Sequence, residues 1–304
     1  MSKKAMRKNL LVSIKKSMGR YIAILAIIAL GAGLFVGLLA SKNDIVATGQ
    51  AFTDEQNMFD FRLLNTYGWT QDEVDALVNM EGIRDVEGLA VLDVVGYLGI
   101  EDSDEAGYLG TRDMDNVFQL HQIPENVNRV LLLGGRMPEK PNECLADGYY
   151  ATEEILGATF SVTDNNDEDT LDSLKYHTFT VVGYVSTPLF MDMTRGNTTL
   201  GNGSITSYVY LPKEAFDLEY YTEIDITIED DHKSYTSEYD DAIEQAKSKL
   251  EPKITLLADN RYESIYSEAM ENTMRACRNI RMVWKNLKKQ NWMRTKNSVK
   301  RIRS

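Results

Sequence analysis

An uncharged run of 20 residues near the N-terminus constrains this chain more than any other feature. It extends from Tyr21 to Ala40 and has charged residues close to both ends. As a helix it would be about 30 Å long, the thickness of the hydrocarbon core of a bilayer. A cleaved signal peptide has an apolar region of only about 7–15 residues, ending in a small-residue cleavage site. Leu38-Leu39-Ala40 is a poor site of that kind, so the sequence predicts a retained transmembrane helix over residues 21–40.

Charge divides the chain into three regions. Residues 1–20 hold seven basic side chains and no acidic one, and residues 272–304 hold eleven and none. Residues 21–271 therefore hold 15 basic against all 46 acidic side chains, a net charge of −31. By the positive-inside tendency, this predicts a single pass of the cell membrane, with a cytoplasmic N-terminus and the acidic bulk outside. The acidic total argues against a nucleic-acid partner, because such binding depends on basic side chains.

The basic leader, residues 1–20, has an amphipathic pattern. Met6, Leu10, Ile14 and Met18 recur every four positions, with Lys and Arg at many of the positions between them. This pattern predicts a short helix on the inner leaflet of the lipid bilayer, attracted by anionic lipids. The alternative is a plain positive-inside signal without that role. The expected membrane-surface residues are Lys8, Lys15, Lys16 and Arg20.

Small residues cluster inside the predicted membrane helix. Gly33 and Gly37 form a GxxxG pattern, and Gly31 lies close by. Small side chains at this spacing let a second helix approach closely. Gly33 and Gly37 are therefore the predicted helix-packing residues, although glycine is common in membrane helices without such a partner.

Strand and helix patterns interleave through residues 41–258 and predict an extracytoplasmic domain of the α+β class. Alternating or apolar runs rich in β-branched residues indicate strands, and capping residues indicate helix starts. The predicted strands are Phe59–Leu63, Val86–Ile100, Asn128–Leu133, His177–Val185, Ser207–Leu211 and Glu223–Ile228. The predicted helices are Ser41–Asn57 continuing out of the membrane, one opening at Thr70, Tyr149–Leu156 and Ser234–Leu250.

Patterns that indicate catalysis or nucleotide binding are absent from the sequence. The chain has no GxxxxGK[ST], GxSxG, HExxH, CxxC or GxGxxG, and its three histidines are isolated. Without a phosphate-binding loop of the Walker A kind, the chain has no such means of binding ATP. We therefore expect no enzyme activity, no cofactor and no metal site. Two tyrosine pairs, Tyr149-Tyr150 and Tyr220-Tyr221, are each open to two interpretations, a ligand patch or packing against strands.

A long segment rich in Gly, Asn and Thr, residues 187–203, separates two predicted strands. Loops of this length inside a domain are usually functional or mobile. We predict a loop that binds a partner or a substrate, and the alternative is a connecting flap without a ligand. The residues expected to matter are Pro188, Phe190, Arg195, Gly196, Gly201 and Gly203.

Several segments, in this order, resemble the N-terminal part of FtsX-like ABC transporter permeases that carry a MacB-like extracytoplasmic core domain, similar to those of Gram-positive anaerobes. The resemblance covers residues 1 to about 270. The segments that carry it are Ser13–Ile22, Phe59–Leu63, Gly135–Pro138, Asn142–Cys144, Phe179–Val185, Arg195–Gly196, Gly201–Gly203, Val209–Pro212 and Ala215–Phe216.

This resemblance implies a fold and a mechanism. Permeases of this family place a large outer domain after the first membrane helix, and they work as homodimers or with a second permease. A separate cytoplasmic ABC ATPase subunit binds the ATP, so the permease itself needs no cofactor. Its membrane helices transmit the motion of the ATPase to the outer domain, for efflux or mechanotransmission. The basic leader would lie where the ATPase docks.

Composition changes abruptly after Glu271, and we interpret residues 259–304 as the start of a helical stalk followed by a basic tail. One hypothesis is that the tail results from a shifted reading frame or a truncation. The other is a genuine basic tail that contacts anionic wall polymer or lipid. For the whole chain, the alternative to a permease is a single-span, membrane-anchored sensing or binding module without an ATPase.

Overall fold

Two helices form the first of two units into which the chain divides, residues 1–55 and 56–304. The computed structural model describes residues 3–99, 116–151, 153–230, 232, 234 and 236–302. Helix α1 covers Lys3–Lys16, and α2 covers Met18–Glu55. By length and composition, α2 is the one described helix that is able to cross a membrane. It confirms an apolar helix over residues 21–40 that continues as a single helix through the polar residues that follow, to Glu55.

The described part of the second unit contains strands and helices in mixed order, which confirms the α+β class. The strands are β1 Phe61–Trp69, β2 Ile83–Leu89, β3 Val91–Gly99, β4 Val117–Gln122, β5 Leu131–Gly135, β6 Glu143–Asp147, β7 Thr159–Val162, β8 Thr178–Ser186, β9 Ile205–Leu211 and β10 Tyr221–Ile228. The helices are α3 Gln71–Val78, α4 Glu168–Asp172 and α5 Ser237–Ile302, and short 3-10 turns cover Glu153–Ile155 and Lys213–Ala215.

Seven of these strands form one sheet that closes on itself. Its order is β5-β8-β6-β9-β4-β3-β7, and β7 also pairs with β8. Six strands therefore make a closed barrel, and β5 extends it as an edge strand on β8. The barrel core contains fully buried aromatic side chains, with Phe118 and Phe160 in an edge-to-face contact at 5.0 Å. Because the barrel is closed, each of its six strands has neighbours on both sides. The free edge of this sheet lies on β5, which among the described strands pairs with β8 only.

The other sheet is small and has the order β1-β10-β2. Apolar and polar residues alternate strictly along β10. Ile224, Ile226 and Ile228 lie on one face of this strand and belong to the hydrophobic core of the small sheet. Helix α3 and the first part of α5 cover that face, where Leu250 of α5 is fully buried. Helix α3 opens at Thr70, whose backbone N–H donates to the carboxylate of Glu73, as predicted from the spacing.

The opposite face of β10 is polar and buried. Asp225 accepts two hydrogen bonds from Arg62, both of 2.7 Å, and a third of 2.6 Å from Asn128. A buried carboxylate needs such partners because its desolvation is costly. Nearby, burial lowers the pKa of His121 to about 3, and the charge of Arg62 acts in the same direction. His121 is therefore neutral.

A second buried carboxylate joins the two sheets. Glu87 of β2 accepts hydrogen bonds from three consecutive backbone N–H groups, at residues 125, 126 and 127, at 2.7–2.8 Å. Strand β2 belongs to the small sheet, whereas this backbone leads from β4 to β5 of the barrel sheet. One side chain therefore satisfies three donors of the connecting segment and fixes it against the small sheet.

Three sequence predictions need correction. The strand predicted at Val86–Ile100 is two strands in different sheets, β2 and β3, which separate at Ala90; Ile100 lies outside the described residues. The strand predicted from Asn128 begins only at Leu131, because Asn128 has a positive φ of 56°. The helix predicted at Tyr149–Leu156 is reduced to a single 3-10 turn. There the backbone is tied to strand β8, since the N–H of Gly148 donates to the carbonyl of Val185.

Candidate functional site

The loop between β8 and β9 crosses the end of a third strand. Strand β6 lies between β8 and β9, parallel to the first and antiparallel to the second. Asp147, the last residue of β6, is paired with Val185 near the end of β8. Residues 187–204 must therefore pass over the carboxyl end of β6. This connection explains why a long loop stands here and why its side chains reach Asp147.

Arg195 fixes the middle of this loop to Asp147. Its Nε donates to one carboxylate oxygen at 2.6 Å, and its Nη2 donates to the other at 3.1 Å. Arg195 and Asp147 are 4% and 2% exposed. The hydroxyl of Ser207 donates to the same carboxylate at 3.3 Å, and the N–H of Tyr149 donates at 2.9 Å. Such a pair is stable in a buried place because nearly every polar atom of it has a partner.

Four aromatic rings surround the guanidinium of Arg195. Its Cζ lies 5.3–5.8 Å from the ring centroids of Tyr149, Tyr150, Phe190 and Tyr208. Phe190 and Tyr208 are stacked, with centroids 4.9 Å apart. At these distances the rings attract the cation through their quadrupoles. We call Arg195, Asp147 and these four rings the arginine cage.

Apolar side chains of the loop remain exposed beside the arginine cage. Met191 and Met193 are 60% and 68% exposed, and Asp192 between them accepts a hydrogen bond from Arg195 through its carbonyl. Tyr149 and Tyr150 are also exposed, so these two rings lie near Arg195 and are in part open to solvent. Flexible methionine beside aromatic rings is typical of surfaces that adapt to different partners.

Glycines determine the path of the loop after Arg195. Gly196, Gly201 and Gly203 have φ angles of 106°, 50° and 85°, a region that other residues rarely adopt. The N–H of Gly203 donates to Leu200, and that of Ile205 donates to Gly196, so the segment folds back on itself as a small turn. These glycines shape the loop, and they carry no side chain toward a ligand.

The loop residues predicted from the sequence thus divide into two groups. Phe190 and Arg195 meet in the arginine cage, whereas Gly196, Gly201 and Gly203 form the turn that follows it. Pro188 is buried near the start of the loop. The sequence analysis missed Asp147 and Tyr208. It singled out Tyr149 and Tyr150 but did not connect them with Arg195, the cation that they contact. The only local signal for Asp147 is an acidic residue that ends an apolar strand.

The remaining predicted residues lie in the first unit. A Cβ added at Gly33 or Gly37 would have no atom of the described chain within 4 Å, so this face of α2 is open. Lys15 and Lys16 end helix α1, and Arg20 begins α2; all three side chains are exposed. Lys8 lies within α1, but its side chain is outside the described part. The helix-packing and membrane-surface roles stay predictions.

Clusters of side chains that could hold a metal ion are absent from the described residues. No group of three or more His, Cys, Asp or Glu side chains there is placed to hold a metal ion. Both cysteines are free; Cys144 is buried and Cys277 is exposed. The arginine cage itself pairs one guanidinium with one carboxylate between aromatic rings, an arrangement suited to positioning the loop.

Two solved structures similar to this chain are extracellular or periplasmic regions of ABC-type transporters. One is the extracellular domain of the noncanonic ABC-type transporter YknZ from Gram-positive bacteria, with 13% identity and a TM-score of 0.33. That match covers 59% of this chain and 80% of the other. Another is the periplasmic region of MacB from Actinobacillus actinomycetemcomitans, with 16% identity, a TM-score of 0.30, and coverage of 61% and 75%. No protein-family model and no curated protein matches the chain.

Proposed function

We propose that this chain is the N-terminal portion of a permease subunit of an ABC transporter. In this role α2 crosses the cell membrane, the leader faces the cytoplasm, and the second unit lies outside. A separate cytoplasmic ATPase binds ATP, and a second permease chain, identical or related, completes the complex. The subunit converts ATPase motion into motion of its outer domain, for efflux or mechanotransmission.

The continuity of α2 is the observation that carries this proposal. One helix from Met18 to Glu55 contains both the apolar run and the polar segment that leads to the second unit. The second unit begins at the next residue, Gln56. A continuous helix transmits displacement and rotation, whereas a flexible linker would absorb them. A chain that only had to be anchored would not need a helix that continues beyond the apolar run.

The segments that carry the resemblance also support the proposal, because two of them bind each other. Arg136, from Gly135–Pro138, donates to both carboxylate oxygens of Glu143, from Asn142–Cys144, at 2.8 and 2.7 Å. That hydrogen bonding lowers the pKa of Glu143 to about 2. Phe179–Val185 lies within β8, and Val209–Leu211 within β9. These four segments of the resemblance therefore build one part of the fold, the barrel sheet.

Affinity capture tests whether an ATPase belongs to the complex. The tagged full chain is purified from membranes of its own organism in a mild detergent, and the captured proteins are identified by mass spectrometry. We expect an ABC ATPase subunit and ATP hydrolysis that co-elutes with the chain. Capture of a correctly folded chain without any ATPase would contradict the permease and favour the alternative below.

A second experiment tests transmission through α2. Met193→Cys is combined with Cys277→Ser, and the alkylation rate of the new thiol is measured with and without ATP and vanadate. We expect nucleotide to change the rate. Ala47→Pro interrupts α2 at a cost of about 3 kcal/mol and should abolish that change while the ATPase is still captured. Ala47→Leu, which keeps the helix, is the matched control and should behave like the parent.

The alternative function is a single-span sensing or binding module without an ATPase. The observation that favours it is that one described helix, α2, is able to span a membrane. In that case the exposed Met191 and Met193 beside the arginine cage would contact the sensed molecule directly. Nucleotide would then leave the alkylation rate at position 193 unchanged, even in a chain whose α2 is not interrupted by proline.

A further inference from the structure

Helix α5 carries an uncovered apolar stripe beyond Glu271. Cys277, Ile280, Trp284 and Leu287 follow one another at intervals of three, four and three residues, which places them on one face of an α-helix. All four side chains are exposed, Trp284 to 61% and Ile280 to 59%. By contrast, the first part of α5 buries Leu250 against the small sheet. We call these four residues the apolar stripe.

The same part of the helix is strongly basic. Residues 272–304 contain 11 Lys and Arg side chains and no acidic one. At 100° per residue, Arg275, Arg278 and Lys285 lie to one side of the apolar stripe or opposite it. Lys288 lies at its border, with its Nζ 5.9 Å from the Trp284 ring. A helix with Lys and Arg on one face and Trp, Leu and Ile on the other has the composition of an interfacial membrane helix.

We propose that residues 272–302 of α5 lie along the surface of an anionic phospholipid bilayer. The apolar stripe would enter the boundary between headgroups and acyl chains, and the basic face would contact the anionic headgroups. Charge complementarity selects this occupant. A second copy of the helix would bring two basic segments together, and like charges oppose that pairing.

A soluble polyanion explains the observations less well than a bilayer does. It would neutralise Arg278 and Lys285 but leave Trp284 and Ile280 in water. A bilayer satisfies both faces of the helix at once. The same chain also carries α2, which by length and composition is able to cross a membrane, so a bilayer is already its neighbour in the proposed function. The surface helix does not depend on an ATPase, and its test is independent of that partner.

Cys277 provides a natural reporter for this proposal. It lies on the apolar stripe and is exposed, whereas the other cysteine, Cys144, is buried. The full chain is held in nanodiscs of phosphatidylcholine and mixed with vesicles of phosphatidylcholine alone or with phosphatidylglycerol. Alkylation of Cys277 and the tryptophan emission of the chain are followed. The leader is basic too, so co-sedimentation alone would not locate the contact, but alkylation of Cys277 does.

We expect phosphatidylglycerol vesicles to slow alkylation of Cys277 by at least about tenfold and to shift tryptophan emission to the blue, since each basic side chain near an anionic surface adds about 1 kcal/mol of attraction. Trp69 is buried and should not contribute to the shift, so the shift would come from Trp284 and Trp292, both within residues 272–302. Lys285→Glu with Lys288→Glu keeps helix-forming residues but should return the rate to within about twofold of the neutral vesicles. The matched control, Lys247→Glu with Lys249→Glu in the first part of α5, should keep the protection.

Three results would overturn the proposal. The first is an unchanged alkylation rate with phosphatidylglycerol vesicles. The second is equal protection by a soluble glycerol-phosphate polymer, which would show that charge alone is recognised. The third is a disulfide between the Cys277 residues of two copies that forms equally well without anionic lipid, because this would assign the apolar stripe to self-association.

Discussion

Helices α2 and α5 both expose many apolar side chains, and they differ in where their charges lie. In α2 the apolar run has 20 residues without a charge, and charged residues appear only beyond its ends. In α5 beyond Glu271, Lys and Arg recur every few residues beside the apolar stripe. A charge at the centre of a bilayer costs about 2.5–3.5 kcal/mol, whereas at the interface it is favourable. The placement of charges, more than the exposure of apolar side chains, thus distinguishes a helix that spans a bilayer from one that lies on the bilayer surface.

The largest expected effect comes from placing charges in each helix. Leu30→Arg with Leu34→Arg puts two cations on one face of α2, at a cost of about 5–7 kcal/mol for insertion. We expect most of the chain to leave the membrane fraction after an alkaline carbonate wash. Ile280→Arg with Trp284→Arg makes the same change in α5 and should leave the chain in that fraction. Equal loss from both variants would remove the distinction between the helices.

The cations of α5 also differ from the buried cation of the arginine cage. Asp147→Ala leaves Arg195 buried without its partner and should lower the free energy of unfolding by about 3–5 kcal/mol. Glu271→Ala removes the exposed partner of Arg275 in α5, 3.1 Å away, and should cost less than about 0.5 kcal/mol. Thermal unfolding of the full chain in detergent measures both changes.

A second change at the arginine cage separates charge from packing. Asp147→Ala combined with Arg195→Met removes the orphaned cation and keeps an apolar side chain between the rings. This double variant should recover about half or more of the lost stability. No recovery would mean that Asp147 stabilises the loop mainly through Ser207 and the N–H of Tyr149 rather than through Arg195.

Within α5 itself, the packed and the free parts should respond differently to the same truncation. Leu250→Ala removes a buried side chain from the core of the small sheet and should cost about 2–5 kcal/mol. Leu287→Ala removes an exposed one and should change stability by less than about 0.5 kcal/mol. A similar loss from both variants, measured by chemical unfolding in detergent, would mean that the second part of α5 is also packed.

The smallest expected effect is a pH dependence of the free energy of unfolding that arises in the small sheet, on which the first part of α5 packs. Burial raises the pKa of Glu223 on β10, and Asp225 adds to this, against the attraction of Arg62. A carboxyl group with a raised pKa in the folded state stabilises the fold at pH values below its usual pKa. That contribution is lost as the pH rises toward the raised value. The free energy of unfolding should therefore fall from about pH 4.5 toward neutrality.

Glu223→Gln should abolish this fall, because glutamine does not ionise. The matched control is Glu229→Gln, one residue beyond β10, where the side chain is exposed. It should keep the pH dependence of the parent. Thermal unfolding at several pH values separates the two, and a dependence that persists in Glu223→Gln would assign it to another group.

Local patterns were sufficient to predict several elements of this fold. Helix α2 follows from an apolar run that lacks charges, and β8 and β10 follow from β-branched residues and strict alternation. Each of these signals lies within about ten to twenty neighbouring residues. The partition of Val86–Ile100 between two sheets was not predictable, because Ala90 alone separates β2 from β3 and is an apolar residue rather than a turn residue.

The arginine cage was predictable only in part, since its members come from three distant segments. Arg195 and Phe190 were expected to matter because they stand in an unusually long loop. Asp147 lies 48 positions before Arg195, and the crossing of β6 by the loop brings the two together. Pairing of β7 with both β3 and β8, which closes the barrel, likewise depends on long-range contacts that no local pattern reveals.

The orientation of α2 is the most direct test of the account as a whole. In a Cys277→Ser background, Ser13→Cys places a thiol on the leader and Asp164→Cys places one on an exposed turn of the second unit, while Cys144 stays buried. Intact cells are treated with a membrane-impermeant maleimide. The account predicts labelling at position 164 at once and at position 13 only after the cells are permeabilised. Labelling of position 13 in intact cells, or of both positions only after permeabilisation, would contradict it.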